Sequence, residues 1–464
     1  MKQRKTIFLR IAFGTSVRDV LRTDTFRTLK AQKDIDIVVF LQDTTISIQE
    51  EIGGENVYIE KLYDFEPTKW ERMVLHIHRA LLREKCRTID LGNTGADTNT
   101  IDKITPLIKF FRLFLSFFAM TRIIFWLYKL NNKPSLYLEQ FEKYKPDLVV
   151  VTRVLNFSRD YPLLRTSASL NIPVICLVSS WDNLTSKGFF PFQLKSLVVW
   201  NDVIKSEAID LFNFPEEKIF VSGIPRYDFF FNLKIFASKK NFCEWMGLDP
   251  NKKIILYGTG SATTGRTPID EITPEPEITA FIAEKMNEGY FGKDVQMIVR
   301  LHPQAKPDDY KNLNDIPNLV VHIPGKSSSF QDRLFSVADD QEFAESLKYA
   351  NVVINLNSTI TIDAAVFDIP VICINYDHRG ARPFKYSVVR MYEFDHYTKL
   401  LKTEGFRLAN SREDLLISII ESLERPELLA EGRKRILQQQ CHFIDGKAGE
   451  RTAKHIFQLL YANR

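Results

Sequence analysis

Tyr349–Tyr376 reads YANVVINLNSTITIDAAVFDIPVICINY. A continuous apolar run, Val352–Leu356, ends in Asn357-Ser358-Thr359. A helix-like stretch, Ile360–Phe367, follows, and Pro370 opens a second apolar run. Val/Ile runs without polar alternation indicate strands buried on both faces, as in parallel sheets. Such a strand–helix–strand unit brings the carboxyl end of a strand to the N-terminus of a helix. Unpaired N–H groups and the helix dipole there favour a phosphate. Ser358 and Thr359 add hydroxyl donors, and Asp363, about one turn on, is placed to accept from ribose hydroxyls. The other reading of Ser358-Thr359 is a helix cap that binds nothing.

The same pattern extends outward in both directions. IFLRIAF, DIVVF, DLVVVTRV, VICLVS, SLVVW and KIFVSG read as strands before residue 250. KIILYGTG, QMIVRLHP, LVVHIPG, NVVINLNS and PVICINYD read as strands after it. Helix-like segments separate them, including Phe343–Ala350 and Arg412–Leu423. Alternating β and α units predict an α/β fold with parallel sheets. Residues 236–250 look like a helical connector, after which the pattern restarts. The chain therefore divides into a first lobe at 1–235, a second at 236–440 and a C-terminal helix within 441–464, one placement of which is across the first lobe.

Composition agrees with a globular chain of two to three domains: 464 residues, 45% hydrophobic and 26% charged. A net charge of +4 gives no basic stripe of the kind nucleic-acid binders carry. The five cysteines are scattered, with no C-x-x-C pair, which fits a reducing compartment. The start, MKQRKTIFLRIAFG, reads as a first strand, because Arg10 interrupts the apolar run and no small-residue cleavage site follows. These features place the protein in the cytoplasm.

Other strand ends carry polar residues. Gly258-Thr259-Gly260-Ser261 follows the first strand of the second lobe; its small residues admit a ligand close to the backbone, or it is a plain turn. His302, in RLHP, falls at the carboxyl edge, where open α/β sheets bind ligands. Arg300 alternates with it and has a carboxylate partner as its other role. In the first lobe, Trp181-Asp182-Asn183 follows the strand Val174–Leu177. Trp181 offers an apolar wall for a sugar, Asp182 a general base, and Asn183 a group to orient a hydroxyl. The competing reading is an Asx turn with Trp181 packed beneath it. Gly14-Thr15-Ser16 with Asp19, a second candidate base, follows the first strand. Thr152-Arg153 and Arg159-Asp160 follow the strand Asp147–Val151. Gly223-Ile224-Pro225-Arg226-Tyr227-Asp228 closes the lobe, with Arg226 either on the donor phosphates or paired with Asp228. No metal is expected: the one D-x-D, Asp34-Ile35-Asp36, lies at the amino end of its strand.

Residues 106–130, PLIKFFRLFLSFFAMTRIIFWLYKL, combine many aromatic and aliphatic side chains with Lys109, Arg112, Arg122 and Lys129. The cations break any spanning segment but suit a helix lying in a membrane interface. A core helix with a solvated face is the alternative.

The GIPRYD turn, the RLHP strand end, the NSTITIDAAVFDIPVI unit and the FIDGKAGERTAKHI tail together resemble bacterial GT-B-type transferases of surface polysaccharides, over roughly residues 145–460. The nearest groups are capsule and lipopolysaccharide enzymes, the glycerol-phosphate polymerases of teichoic acid and the UDP-GlcNAc 2-epimerases. The resemblance implies two Rossmann-like lobes facing a cleft, a nucleotide-sugar donor on the second lobe, a saccharide or lipid-linked acceptor on the first, and no bound metal. It assigns Ser358 and Thr359 to the phosphate-binding helix start, puts Asp363 near the usual ribose-binding acid, and matches His302 to the HP motif. Thr359-Ile360 replaces the glycine pair of the epimerases, and the Tyr-Ser-Ser segment of the glycerol-phosphate polymerases is absent. A sugar transferase is therefore the first expectation. A 2-epimerase and a non-catalytic polysaccharide-assembly protein are the alternatives.

Overall fold

The structure is a computed structural model that describes residues 4–11, 16–42, 46–63, 65–91, 98–129, 136–152, 161–188, 194–231, 236–262, 264–265, 270–325 and 336–462. The chain forms two units, Met1–Phe231 with Gln440–Arg464, and Asn232–Gln439. The first unit therefore closes only when the chain returns to it at residue 440.

The first unit holds seven parallel strands: β1 (Lys5–Arg10), β2 (Ile35–Leu41), β3 (Val57–Lys61), β4 (Leu148–Val151), β5 (Val174–Leu177), β6 (Ser196–Val199) and β7 (Ile219–Val221). Their order is β3-β2-β1-β4-β5-β6-β7. The second unit holds six: β8 (Lys253–Gly258), β9 (Val295–Arg300), β10 (Leu319–His322), β11 (Val352–Asn355), β12 (Val371–Ile374) and β13 (Arg407–Ala409), in the order β10-β9-β8-β11-β12-β13. All pairings are parallel. Each order reverses once, between β1 and β4 and between β8 and β11. In doubly wound sheets that reversal opens a crevice at the carboxyl ends of the strands.

Central strands β4, β5, β6, β11 and β12 are buried along their whole length. That is the state their unbroken apolar runs predict. Two strands escape the sequence reading. β3 is half-exposed and reads VYIEK, and β13 has three residues; both are edge strands, so neither needs a continuous apolar run.

The tail helix Ala448–Tyr461 lies against the helix Asp24–Lys30 and places Ala453, Ile456 and Leu460 in the core of the first unit. The stretch 106–130 is not one helix. It contributes to two, Thr98–Arg112 and Phe117–Lys129. At the break, Ser116 Oγ accepts from the Ala119 N–H, and the Arg112 guanidinium donates to both Glu84 and the Leu115 carbonyl. Arg112 therefore serves the turn rather than reaching away from it.

Candidate functional site

The second unit gathers three of the polar strand ends. β8 lies between β9 and β11, with Gly258 opposite Arg300 and Tyr257 opposite Ile354. Gly258 is buried against the start of the helix Ile360–Val366: a Cβ there would lie 2.6 Å from Ile360 Cδ1. Only glycine lets β8 end this close to the helix. Thr259 Oγ1 accepts from the His302 N–H at 2.8 Å, tying the ends of β8 and β9 together. His302 Nδ1 accepts from the Gln304 N–H at 3.0 Å, so in the neutral ring the proton sits on Nε2. That nitrogen is then the one able to donate to an anion.

Across the switch point, Asn355 shapes the turn that carries Ser358 and Thr359. Its Oδ1 accepts from the Ser358 N–H at 2.9 Å, and its Nδ2 donates to Thr361 Oγ1 at 3.2 Å. Ser358 and Thr359 are half-buried, and Ser358 Oγ makes one long contact, 3.4 Å, with the Ile360 N–H. Thr359 makes no side-chain capping bond. Asp363 lies in the first turn of that helix and is buried.

Glu275 fixes the loop after β8. It is fully buried at the start of the helix Glu275–Asn287. Both carboxylate oxygens lie 2.9 Å from the Gly260 nitrogen, and Tyr257 Oη donates at 3.4 Å. Burial pushes its pKa up to about 8, against the pull of these hydrogen bonds. The Gly260 N–H is thus taken by the protein's own carboxylate. Ser261 Oγ contacts Thr264 Oγ1 at 3.1 Å in the same loop.

The first unit has its own concavity at the carboxyl edge of its sheet, lined by Ser16, Asp19, Ser179, Trp200, Ser222 and Arg226 among others. Arg226 Nη1 lies 3.5 Å from Asp19 Oδ1, and its guanidinium rests on Trp200 and Tyr227, at 4.9 and 5.1 Å from the ring centres. Arg226 pairs with Asp19, not with Asp228. The Trp-Asp-Asn segment is built as a turn. Trp181 is 5% exposed, which leaves its ring little open face for a sugar. Asp182 precedes the short helix Asn183–Lys187 and accepts from the hydroxyls of Ser180 and Ser186. Asn183 is buried, 3.4 Å from Ser179 Oγ. Gly14, Thr15, Arg153, Arg159 and Asp160 lie outside the described residues.

Two resembling segments meet for structural reasons. Asp228 of GIPRYD accepts from the Ala448 and Gly449 N–H groups at 3.0 and 2.7 Å, capping the tail helix. Arg451 binds Asp445 through two nitrogens and donates to the Ser222 carbonyl. Arg300 is engaged with His322 at 2.7 Å and with the Asp339 carbonyl. Asp34 of the D-x-D accepts from Tyr461 Oη, and Arg4 pairs with Asp36.

Asn355 and Glu275 carry no role in the sequence reading, and Thr259 stands there only as part of the loop after the first strand of the second lobe. A polar residue inside an apolar strand, as Asn355 is, was the one readable sign. Glu275 stands in an acidic segment, and its burial is visible only in the fold.

Two Rossmann-like sheets, each with polar strand ends at its carboxyl edge, form a fold of GT-B type. Similar solved structures include UDP-GlcNAc 2-epimerase from Neisseria meningitidis bound to UDP-GlcNAc (13% identity, TM-score 0.54, 98% of this chain and 100% of that one). A variant of the wall teichoic acid polymerase TagF matches at 11% identity and TM-score 0.57, over 100% of this chain and 90% of that one. A glycosyltransferase from Rickettsia africae matches at 10% and 0.53, over 99% and 100%. These likenesses are of fold. No curated protein sequence matches the chain. The family model described as CDP-Glycerol:Poly(glycerophosphate) glycerophosphotransferase matches residues 192–458, more than half of the chain. The chain belongs to that family. The match falls on a group that the missing Tyr-Ser-Ser segment sets behind sugar transferases in the sequence reading.

Proposed function

We propose that the protein transfers a group from a nucleoside-diphosphate-activated donor to a hydroxyl of a surface-polymer or lipid-linked acceptor at the inner face of the cell membrane. The observation that carries this reading is the meeting of three loops at the switch point of the second sheet, in a chain of this family. In this reading Ser358, Thr359 and His302 Nε2 donate to the diphosphate, Gly258 and Ser261 border it, and Asp363 serves the ribose. Asp19 is the base in preference to Asp182, whose carboxylate already accepts two serine hydroxyls. Arg226 holds Asp19 and belongs to the acceptor side.

Family membership favours a donor of the CDP-glycerol type. The acceptor oxygen then attacks the outer phosphorus, the phosphoanhydride bond breaks, CMP leaves, and the hydroxyl proton passes to Asp19. A second reading, sugar transfer, is favoured by Asn357-Ser358-Thr359 standing where the polymerases carry Tyr-Ser-Ser. There the oxygen attacks the anomeric carbon and a nucleoside diphosphate leaves. No resident metal is part of either reading; helix and side-chain donors offset the charge of the leaving group.

Calorimetric titration with CDP-glycerol and with UDP- and GDP-sugars tests the donor site. Ser358→Ala/Thr359→Ala and His302→Ala should each weaken donor binding about tenfold or more. Donor affinity equal to that of the native protein in all variants rejects the site. Asp19→Asn should keep donor binding and lower turnover roughly 10²–10⁴-fold. Release of a nucleoside monophosphate or diphosphate separates the two donors.

A further inference from the structure

The helices Thr98–Arg112 and Phe117–Lys129, joined by a short turn, each bury one face and leave the other exposed. Ile101, Ile108, Met120 and Ile124 are buried, and both helices pack against the helix Lys69–Leu82. On the outer side, Leu107, Phe110, Phe114, Ile123 and Trp126 are exposed. The spacing 107, 110, 114 is one helical stripe continued into the turn, and 123 and 126 form its counterpart on the second helix. Leu113 and Phe114, at the turn between the helices, are 77% and 72% exposed. Scattered apolar side chains are ordinary on a protein surface, but the Phe110 ring lies 5.8 Å from that of Phe111 and 5.5 Å from that of Phe114, and such an exposed aromatic cluster marks a binding face.

Charge selects the occupant. Residues 98–129 contain one acid, Asp102, against Lys103, Lys109, Arg112, Arg122 and Lys129. Asp102 is neutralised by Arg83 at 2.6 Å, and the neighbouring Glu84 by Arg112 at 2.7 Å. Lys103, Lys109 and Arg122 are exposed beside the apolar stripe. Exposed aromatic residues at and beside the turn, with exposed cations on the same two helices, match an interface of acyl chains and anionic headgroups. A second copy of this face would oppose like charges. No helix of the described residues is long and apolar enough to cross a membrane, so this segment would lie on the surface.

We propose that the helix–turn–helix segment Thr98–Lys129 is an anionic-membrane docking surface, inserted through Phe110, Leu113, Phe114 and Trp126 and held by Lys103, Lys109 and Arg122. The proposal deepens the reading of an acceptor at the membrane, and its test uses no turnover, so either can fail alone. The full chain is floated with vesicles of phosphatidylcholine alone and of phosphatidylcholine with phosphatidylglycerol. It should bind the anionic vesicles, with affinity falling as salt rises. Phe110→Ser/Phe114→Ser/Trp126→Ser and Lys103→Glu/Lys109→Glu/Arg122→Glu should each lower binding roughly tenfold or more, with thermal unfolding unchanged, since these side chains are exposed. Failure of the native chain to bind, or equal binding by both variants, overturns the proposal. So does a native dimer in solution that the aromatic variant converts to monomer.

Discussion

At the scale of single residues, Glu275 is a group whose chemistry the fold alters strongly. A carboxyl with no exposure holds the Gly260 N–H, and burial raises its pKa from 4.5 to about 8. Between those values the folded protein keeps the proton that the unfolded chain has released. Glu275 therefore lowers stability as pH rises through this window. Urea unfolding of the second unit at pH 5, 7 and 8.5 should show native stability falling. Glu275→Gln keeps an acceptor without the charge and should flatten that fall, gaining about 1–3 kcal/mol on the native protein at pH 8.5. Glu275→Ala leaves the half-buried Gly260 N–H without its partner and should cost about 1–3 kcal/mol at pH 6. A native stability that increases from pH 5 to 8.5, with no change in the Gln variant, removes this role. Nothing in the local sequence foretold it: a glutamate after a proline reads as an exposed first-turn residue, and only the β8 loop folding over it makes it a buried anchor.

At the scale of elements, the tail helix Ala448–Tyr461 shows how a short motif can be structural. Asp228 caps its first turn, where burial raises the carboxyl pKa to about 6 despite two backbone N–H donors. A Cβ on Gly449 would lie 2.8 Å from the backbone nitrogen of Thr25 and 3.1 Å from that of Asp24. Alanine inside a helix gains up to about 1 kcal/mol of propensity over glycine, and less in the first turn, where Gly449 stands. Here the clash is with backbone, which cannot swing aside, so Gly449→Ala should still destabilise the first unit by about 1–2 kcal/mol. Asp228→Ala should cost a similar ~1–2 kcal/mol. Thermal unfolding reads both, and a stabilised Gly449→Ala would show that the helix does not pack this closely. GIPRYD and DGKAGE were legible as marks of a family. That they hold each other, leaving Arg226 to Asp19, was not, because more than two hundred residues separate the partners.

For the whole molecule, the tail makes the first unit discontinuous. Ile456 and Leu460 are buried in its core, and burying one such side chain contributes about 1.5–3 kcal/mol. Deleting residues 448–464 should lower the melting transition of the first unit and leave that of the second in place. A common loss of both would mean that the units unfold as one. The alternation of unbroken Val/Ile runs with helix-like segments determined two parallel α/β sheets, because strands buried on both faces must be apolar throughout. It also determined which polar residues stand at strand ends, since a run stops where its backbone leaves the core. Edge strands β3 and β13 lay outside that rule. Tertiary structure alone decided which strand ends are neighbours, that the helix-like stretch at 106–130 breaks at its Ser116 turn, and which carboxylates are already engaged. Those outcomes depend on sheet order and on contacts between residues far apart in the chain, and neither periodicity nor local spacing records them.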